Sequence, residues 1–145
     1  MISLDLGCGN NKQKNHLGLD IKRNSSADII ADLENLPIRD CCINKVYSRR
    51  VLQHVEDYIG GLKEIHRILK PGGDIRIIVA SLWGLLFYKS GFSQSSGKYS
   101  TFHLFTKRNL EKKLKQINFI NIKITRIRSH RKIGYDFQIA AKKMD

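Results

Sequence analysis

The sequence predicts an α/β domain whose mainly parallel sheet closes on an antiparallel hairpin. Three observations lead there. Short apolar runs recur through the first half, at 2–6, 17–21 and 28–31, each followed by glycine or ended by an acid. A helix-periodic stripe then separates two further apolar runs. Two alternating segments flank a basic turn near the end. Strands alternating with helices and closing on a hairpin give this class. At 145 residues the chain suits one domain, 1–145, with a sizeable core. It divides into 1–80 and a basic remainder, 81–145.

Taken in order, Ile2-Ser-Leu-Asp-Leu6 is a short buried strand running into Gly7-Cys8-Gly9. Leu17–Ile21 is a second strand carrying Asp20, and 28–31 a third followed by Asp32. Residues 34–42 read as a loop and 43–48 as a fourth strand. From Asp57 onward Leu62, Ile65 and Leu69 recur at helical spacing. Lys70-Pro-Gly-Gly73 stops that helix, because proline cannot continue the ladder. Residues 74–80 form a fifth strand. An apolar segment, 82–88, and a Ser/Gly-rich segment, 89–101, come next. Thr106 can cap a helix striped by Leu110, Leu114 and Ile117, with Glu111 and Lys115 paired at i,i+4. Residues 119–126 and 135–142 alternate as the hairpin strands.

Charge is divided unevenly. Residues 1–80 carry 12 Lys+Arg against 10 Asp+Glu, and residues 81–145 carry 14 against 3. The basic second half predicts either attraction of nucleic acid, acidic glycans or a lipid surface, or a plain solvated face. The longest uncharged stretch, 77–88, is too short to span a bilayer. No basic leader precedes the first strand, so no secretory signal is expected. Three cysteines, two of them adjacent, suggest neither disulfides nor a metal site. A cytoplasmic protein is expected.

A strand running into Gly-x-Gly permits a sharp turn and lets a ligand approach backbone N–H groups. Parallel strand ends share one edge, where ligands of open α/β folds bind. An acid at the second end, Asp20, can accept from ribose hydroxyls. Asp32 at the third can accept from an adenine amino group. Either aspartate alone is equally an ordinary capping residue.

Five blocks occur in order: Leu4-Asp-Leu-Gly-Cys-Gly-Asn10, Gly18-Leu-Asp-Ile21, Ala31-Asp-Leu-Glu-Asn-Leu-Pro37, Val51-Leu-Gln-His-Val-Glu-Asp57 and Glu64-Ile-His-Arg-Ile-Leu-Lys-Pro-Gly-Gly73. Together they resemble the methyltransferase type 11 group of class I S-adenosylmethionine-dependent methyltransferases. Residues 105–119 resemble that group's closing helix, with Asn118 where glycine is more usual. The resemblance implies a Rossmann-like class I methyltransferase sheet with S-adenosyl-L-methionine as cofactor. It implies that Gly7 and Gly9 border the methionine part and Asp5 supports the turn. Asp20 then holds the ribose, with Ile21 against the adenine and Asp32 and Leu33 at the adenine edge. Arg49 stands where the family uses backbone, so its side chain is expected to face the acceptor.

The spacing departs from a full-length class I domain. Asp20 follows Gly7 by 13 residues, where a crossover helix would put it about 20 on. The link from Ile21 to Asp28 is shorter, yet six or seven extended residues span roughly 20 Å. The first two helices are therefore expected to be missing or shortened. One sheet face should be poorly covered, and a second copy or a partner protein is the expected cover.

Methyl transfer from a sulfonium is an in-line displacement that asks for positioning and sometimes a base. Arg49-Arg50-Val51 replaces the Asn/Asp-Pro-Pro-Tyr type of motif used on exocyclic base amines. Cys41 and Cys42 precede the fourth strand, at the wrong edge for attack on cytosine, and Cys8 reads as packed. An oxygen or simple nitrogen acceptor remains, on a small molecule or saccharide. Two alternatives stand beside it: an RNA methyltransferase using the basic half, with residues 107–115 and 126–132 on phosphates, and an inactive cofactor-binding partner subunit. His54 and His103 are the candidate bases, His66 reads as structural, and Trp83, Phe87 and Tyr88 as an acceptor pocket or a cap on the sheet.

Overall fold

In the computed structural model, which describes residues 1–81, 103–129 and 134–144, seven strands form one sheet. They are β1 (Ser3–Leu6), β2 (Leu17–Asp20), β3 (Ile29–Ile30), β4 (Ile43–Arg49), β5 (Leu69–Ala80), β6 (Phe119–Arg128) and β7 (Tyr135–Lys143), in the order β3-β2-β1-β4-β5-β7-β6. The first five pair in parallel; β7 is antiparallel to β5 and β6. This is the expected Rossmann-like arrangement. Among the described residues no helix is long and apolar enough to cross a membrane.

Among the described residues two helices pack on one face. In α1 (Tyr58–Ile68) the Asp57 side chain accepts from Gly60 N–H at 2.8 Å, and Leu62, Ile65 and Ile68 are buried. In α2 (Lys107–Gln116) Thr106 caps Asn109 N–H at 3.3 Å, and Leu110 and Leu114 are buried. These side chains share one core with Leu4, Leu6, Val46, Ile75, Ile77, Val79, Ile124, Phe137 and Ile139. Each such side chain stabilises by about 1.5–3 kcal/mol. Strand alternation sends Lys45, Tyr47, Asp74, Arg76 and Gln138 to the opposite face. Asn118 ends the α2 segment at φ +65°, a left-handed conformation that asparagine tolerates, so it does the work of the more usual glycine.

No helix links β1 to β2 or β2 to β3. Polar clamps replace them. Lys12 Nζ bonds both Asp28 oxygens at 2.9 Å, and Asp28 Oδ2 accepts Gly18 N–H at 2.7 Å. The β1–β2 loop crosses so close to β2 that a Cβ at Gly18 would lie 2.6 Å from Lys12 Cδ. The 31–42 loop is held from α1: Glu64 accepts Leu36 N–H at 2.9 Å, and Arg67 donates to the Ile38 and Leu36 carbonyls at 2.8 and 3.0 Å.

One boundary differs from expectation. The helix stops at Ile68 and β5 begins at once with Leu69, five residues before Asp74. Ile43 pairs with Leu69 and Lys45 with Asp74, so Lys70-Pro-Gly-Gly73 is taken up as a bulge inside the strand.

Candidate cofactor site

A cavity of about 580 Å³ opens where β1 to β4 end. Its floor is the Gly7–Gly9 turn. Gly7 and Cys8 N–H both donate to Leu19 O, at 2.7 and 3.2 Å, so the chain folds back over β2 as soon as β1 ends. Gly7 has φ +67°, and a Cβ there would sit 2.1 Å from Val51 Cγ2. Gly9 has φ +53° and nothing within 4 Å of a Cβ position. The first glycine is demanded by packing. The second leaves open space against the cavity.

Asp20 is 7% exposed at the end of β2. Its Oδ2 accepts Gly9 N–H at 2.8 Å and its Oδ1 accepts Lys22 N–H at 2.9 Å. Each oxygen keeps a second lone pair for a ligand. Ile21 beside it is 61% exposed, an apolar side chain left uncovered on the cavity wall. Asp32 is exposed across the cavity, its Oδ1 accepting Glu34 N–H at 3.0 Å. Leu33 also lines the wall while its side chain enters the core. Two acids with spare acceptor capacity beside bare apolar surface suit a ring-bearing ligand with hydroxyl and amine donors, such as a nucleoside.

Asp5 stands elsewhere. It does not line the cavity; parallel register puts it beside Gly18 and Tyr47, on the side crossed by the β1–β2 loop. Its Oδ2 accepts Gln13 N–H at 2.7 Å, and burial raises its carboxyl above the usual range. It braces the loop from behind.

Arg49 is exposed and lines the wall, as does His54, the last residue of a short 3₁₀ turn, Leu52–His54. His103 does not. Its Nε2 donates to Glu56 O at 2.7 Å and its ring packs on Tyr58 at 4.6 Å. Because a carbonyl only accepts, that nitrogen carries the hydrogen. Cys8 is buried, as expected of a packed thiol. Trp83, Phe87, Tyr88 and the 130–132 part of the basic turn lie outside the described residues. Among the described residues no His, Cys, Asp and Glu group is arranged to hold a metal.

One residue at the site gave no sequence signal. Arg50 takes φ +61° and donates its own N–H to Ile78 O at 2.7 Å. Its guanidinium pairs with Asp136, Nε to Oδ2 at 3.1 Å, and Nη2 reaches Ser129 Oγ at 2.8 Å. The pair ties β4 to β7 across 86 residues of chain, a separation no local pattern announces.

A methyltransferase domain model matches residues 4–77. A demethylmenaquinone methyltransferase of Staphylococcus saprophyticus is 30% identical over 113 residues, covering 64% of this chain and 48% of that protein. The chain thus spans about half the length of the curated relatives it matches. Among solved structures, a Thermotoga maritima methyltransferase described as a possible histamine N-methyltransferase superposes with a TM-score of 0.81 at 19% identity, covering 98% of this chain and 82% of that one. Haemonchus contortus phosphoethanolamine N-methyltransferase 2, in complex with S-adenosyl-L-methionine, has a TM-score of 0.75 at 15% identity, covering 100% and 49%.

Proposed function

The chain belongs to the methyltransferase domain family, of the class I S-adenosylmethionine-dependent type, and on that premise we propose that it methylates a small-molecule acceptor. S-adenosyl-L-methionine is the cofactor of this family. The observation that carries the reading is the cavity in which the buried Asp20 carboxylate, the open space over Gly9 and the bare Ile21 side chain meet.

The cofactor, when bound, supplies an electrophilic methyl on a sulfonium. The chain's own residues do the holding. Asp20 accepts from ribose hydroxyls while its bonds to Gly9 and Lys22 keep the carboxylate fixed. Ile21 would offer apolar surface to the adenine, with Asp32 and Leu33 on the same cavity wall to meet its edge. Arg49 faces the acceptor side, where its charge selects for anionic or carbonyl-rich groups. His54, on the same wall, takes a proton from an oxygen or nitrogen acceptor. The relatives named for demethylmenaquinone and phosphoethanolamine support an acceptor of small-molecule size.

Calorimetry with S-adenosylhomocysteine tests the first half, and binding to the wild-type chain is expected. Transfer of a radiolabelled methyl group into fractionated cell extract tests the second, with label expected among small molecules. Absence of binding overturns the cofactor reading. Label confined to RNA overturns the acceptor class, and no transfer to any fraction favours a cofactor-binding partner subunit.

A further inference from the structure

Both described helices pack on one side of the sheet, and the opposite face of β4, β5, β7 and β6 carries no helix among the described residues. Cross-strand register arranges that face in rows. Lys45, Asp74 and Lys142 form one; Tyr47, Arg76, Ala140 and Lys123 form the next. Lys45, Arg76, Lys123 and Lys142 are all exposed. The only accessible carboxylate among the described residues of these rows is Asp74, 3.7 Å from Lys142. Lys45 and Lys123 have no ion pair among the described residues. Neighbouring strands lie about 4.8 Å apart, so Arg76 and Lys123, with β7 between them, are offset by about 10 Å. A rigid sheet therefore presents an excess of positive charge in a fixed, two-dimensional pattern.

A depression of about 350 Å³ is set into this face, lined by Gln13, His16, Lys45, Tyr47, Asp74 and Arg76. The His16 and Tyr47 rings meet edge-on at 6.5 Å inside it. It offers an aromatic surface, an amide and a carboxylate within reach of two cations. We propose that this face binds single-stranded nucleic acid, with a base against Tyr47 in the depression and phosphates on Lys45, Arg76, Lys123 and Lys142. Charge complementarity identifies a polyanion. The aromatic recess suits an unpaired base, since stacking accepts any base and its edge can meet Gln13 and Asp74.

A lipid surface fits less well. Among the described residues the exposed large apolar side chains, Met1, Ile2, Leu17, Ile21, Ile30, Leu104 and Met144, all lie outside these rows. Apolar side chains of this face such as Ile78 and Ile120 are only half-exposed and offer a bilayer little to take up, and a twisted sheet follows a flexible strand better than a plane. The C-terminal basic helix is a separate surface. Lys112 and Lys113 stand on α2, on the other side of the sheet.

Fluorescence anisotropy of end-labelled oligouridylate and oligothymidylate with the full chain, without cofactor, tests the proposal. Binding is expected to weaken steeply between about 50 and 200 mM salt. The variant Lys45→Gln/Arg76→Gln/Lys123→Gln should lower the log–log salt slope by about 2, at roughly 0.7 per phosphate, and weaken binding on the order of 10–100-fold. Tyr47→Ala should weaken it at least about fivefold with the slope unchanged. Lys112→Gln/Lys113→Gln should leave affinity within about twofold. Circular-dichroism melts establish that each variant is folded, and Lys142→Gln alone should lower the slope by about 0.7 if the triple variant is not. No binding by the wild-type chain at about 50 mM salt overturns the proposal, as does a loss caused by the α2 variant equal to that of the sheet-face variant. So does cosedimentation with equimolar phosphatidylglycerol–phosphatidylcholine vesicles, abolished by the sheet-face variant, when neither oligonucleotide binds. None of the substituted residues lines the cofactor cavity, so failure of methyl transfer and failure of this proposal are separate results.

Discussion

The carboxylate of Asp20 accepts the backbone N–H of Gly9 at 2.8 Å, joining the end of β2 to the turn that leaves β1. One acid thus shapes the glycine turn and faces the cavity that turn borders. Hydrogen bonds to a charged group contribute about 1.5–3 kcal/mol each. Asp20→Asn removes the charge and sets an amide donor against one of two backbone N–H groups. Affinity for S-adenosylhomocysteine is expected to fall about 10–100-fold by calorimetry. Unchanged affinity would show that Asp20 does not hold the ribose.

The two glycines of the turn should answer differently to alanine. Gly7→Ala combines a left-handed φ, costing about 1–2 kcal/mol, with a clash against Val51 that costs about 1–3 kcal/mol. Its melting temperature should drop, and Val51→Ala in the same chain should recover part of the loss. Gly9→Ala meets no protein atom and carries only the conformational cost, so stability should fall by about 1 kcal/mol. Its affinity for S-adenosylhomocysteine should nonetheless fall, because the methyl occupies space the ligand needs. Equal stability losses in the two single variants would contradict this account.

Arg50 and Asp136 are 16% and 6% exposed in their side chains, so removing either leaves the other charge buried. Arg50→Ala is expected to destabilise by about 3–5 kcal/mol in denaturant unfolding. Arg50→Gly should be milder than Arg50→Ala by about 1 kcal/mol, because φ +61° suits glycine. If alanine proves the milder substitution, the left-handed backbone is not a source of strain.

His66 is half-buried, its ring against Phe119 at 5.1 Å, and its buried Nε2 has no hydrogen-bond partner among the described residues. Burial first, then the Lys143 charge, lowers its pKa below the ordinary 6.5, against a smaller opposing effect from the Asn118 backbone. The unfolded chain therefore binds this proton more readily than the folded one. Stability is fully present above about pH 6.5 and declines as pH falls from there through the lower folded value. Thermal melts should show that decline, and His66→Leu should flatten it. An equally steep decline in the variant would assign it to other groups.

Much of this architecture was legible because it is local. Period-2 runs, the Thr106 cap and the Gly-x-Gly turn express backbone preferences that operate within a few residues. The short β1–β2 and β2–β3 links likewise announced missing helices by length alone. The exact start of β5 was not legible, because proline and two glycines signal an interruption equally well between elements and within a bulged strand.

What the sequence determined by itself is the order of strands and helices and the strand-end acids, Asp20 and Asp32, because spacing and periodicity are properties of the chain. The tertiary structure decided the rest. It put Asp5 behind the β1–β2 loop, His54 on the cavity wall and His103 away from it. It paired Arg50 with Asp136 and brought Lys45, Arg76, Lys123 and Lys142 onto one face. Those outcomes depend on which strands become neighbours and in what register, and a shift of one residue would turn each side chain to the other side of the sheet.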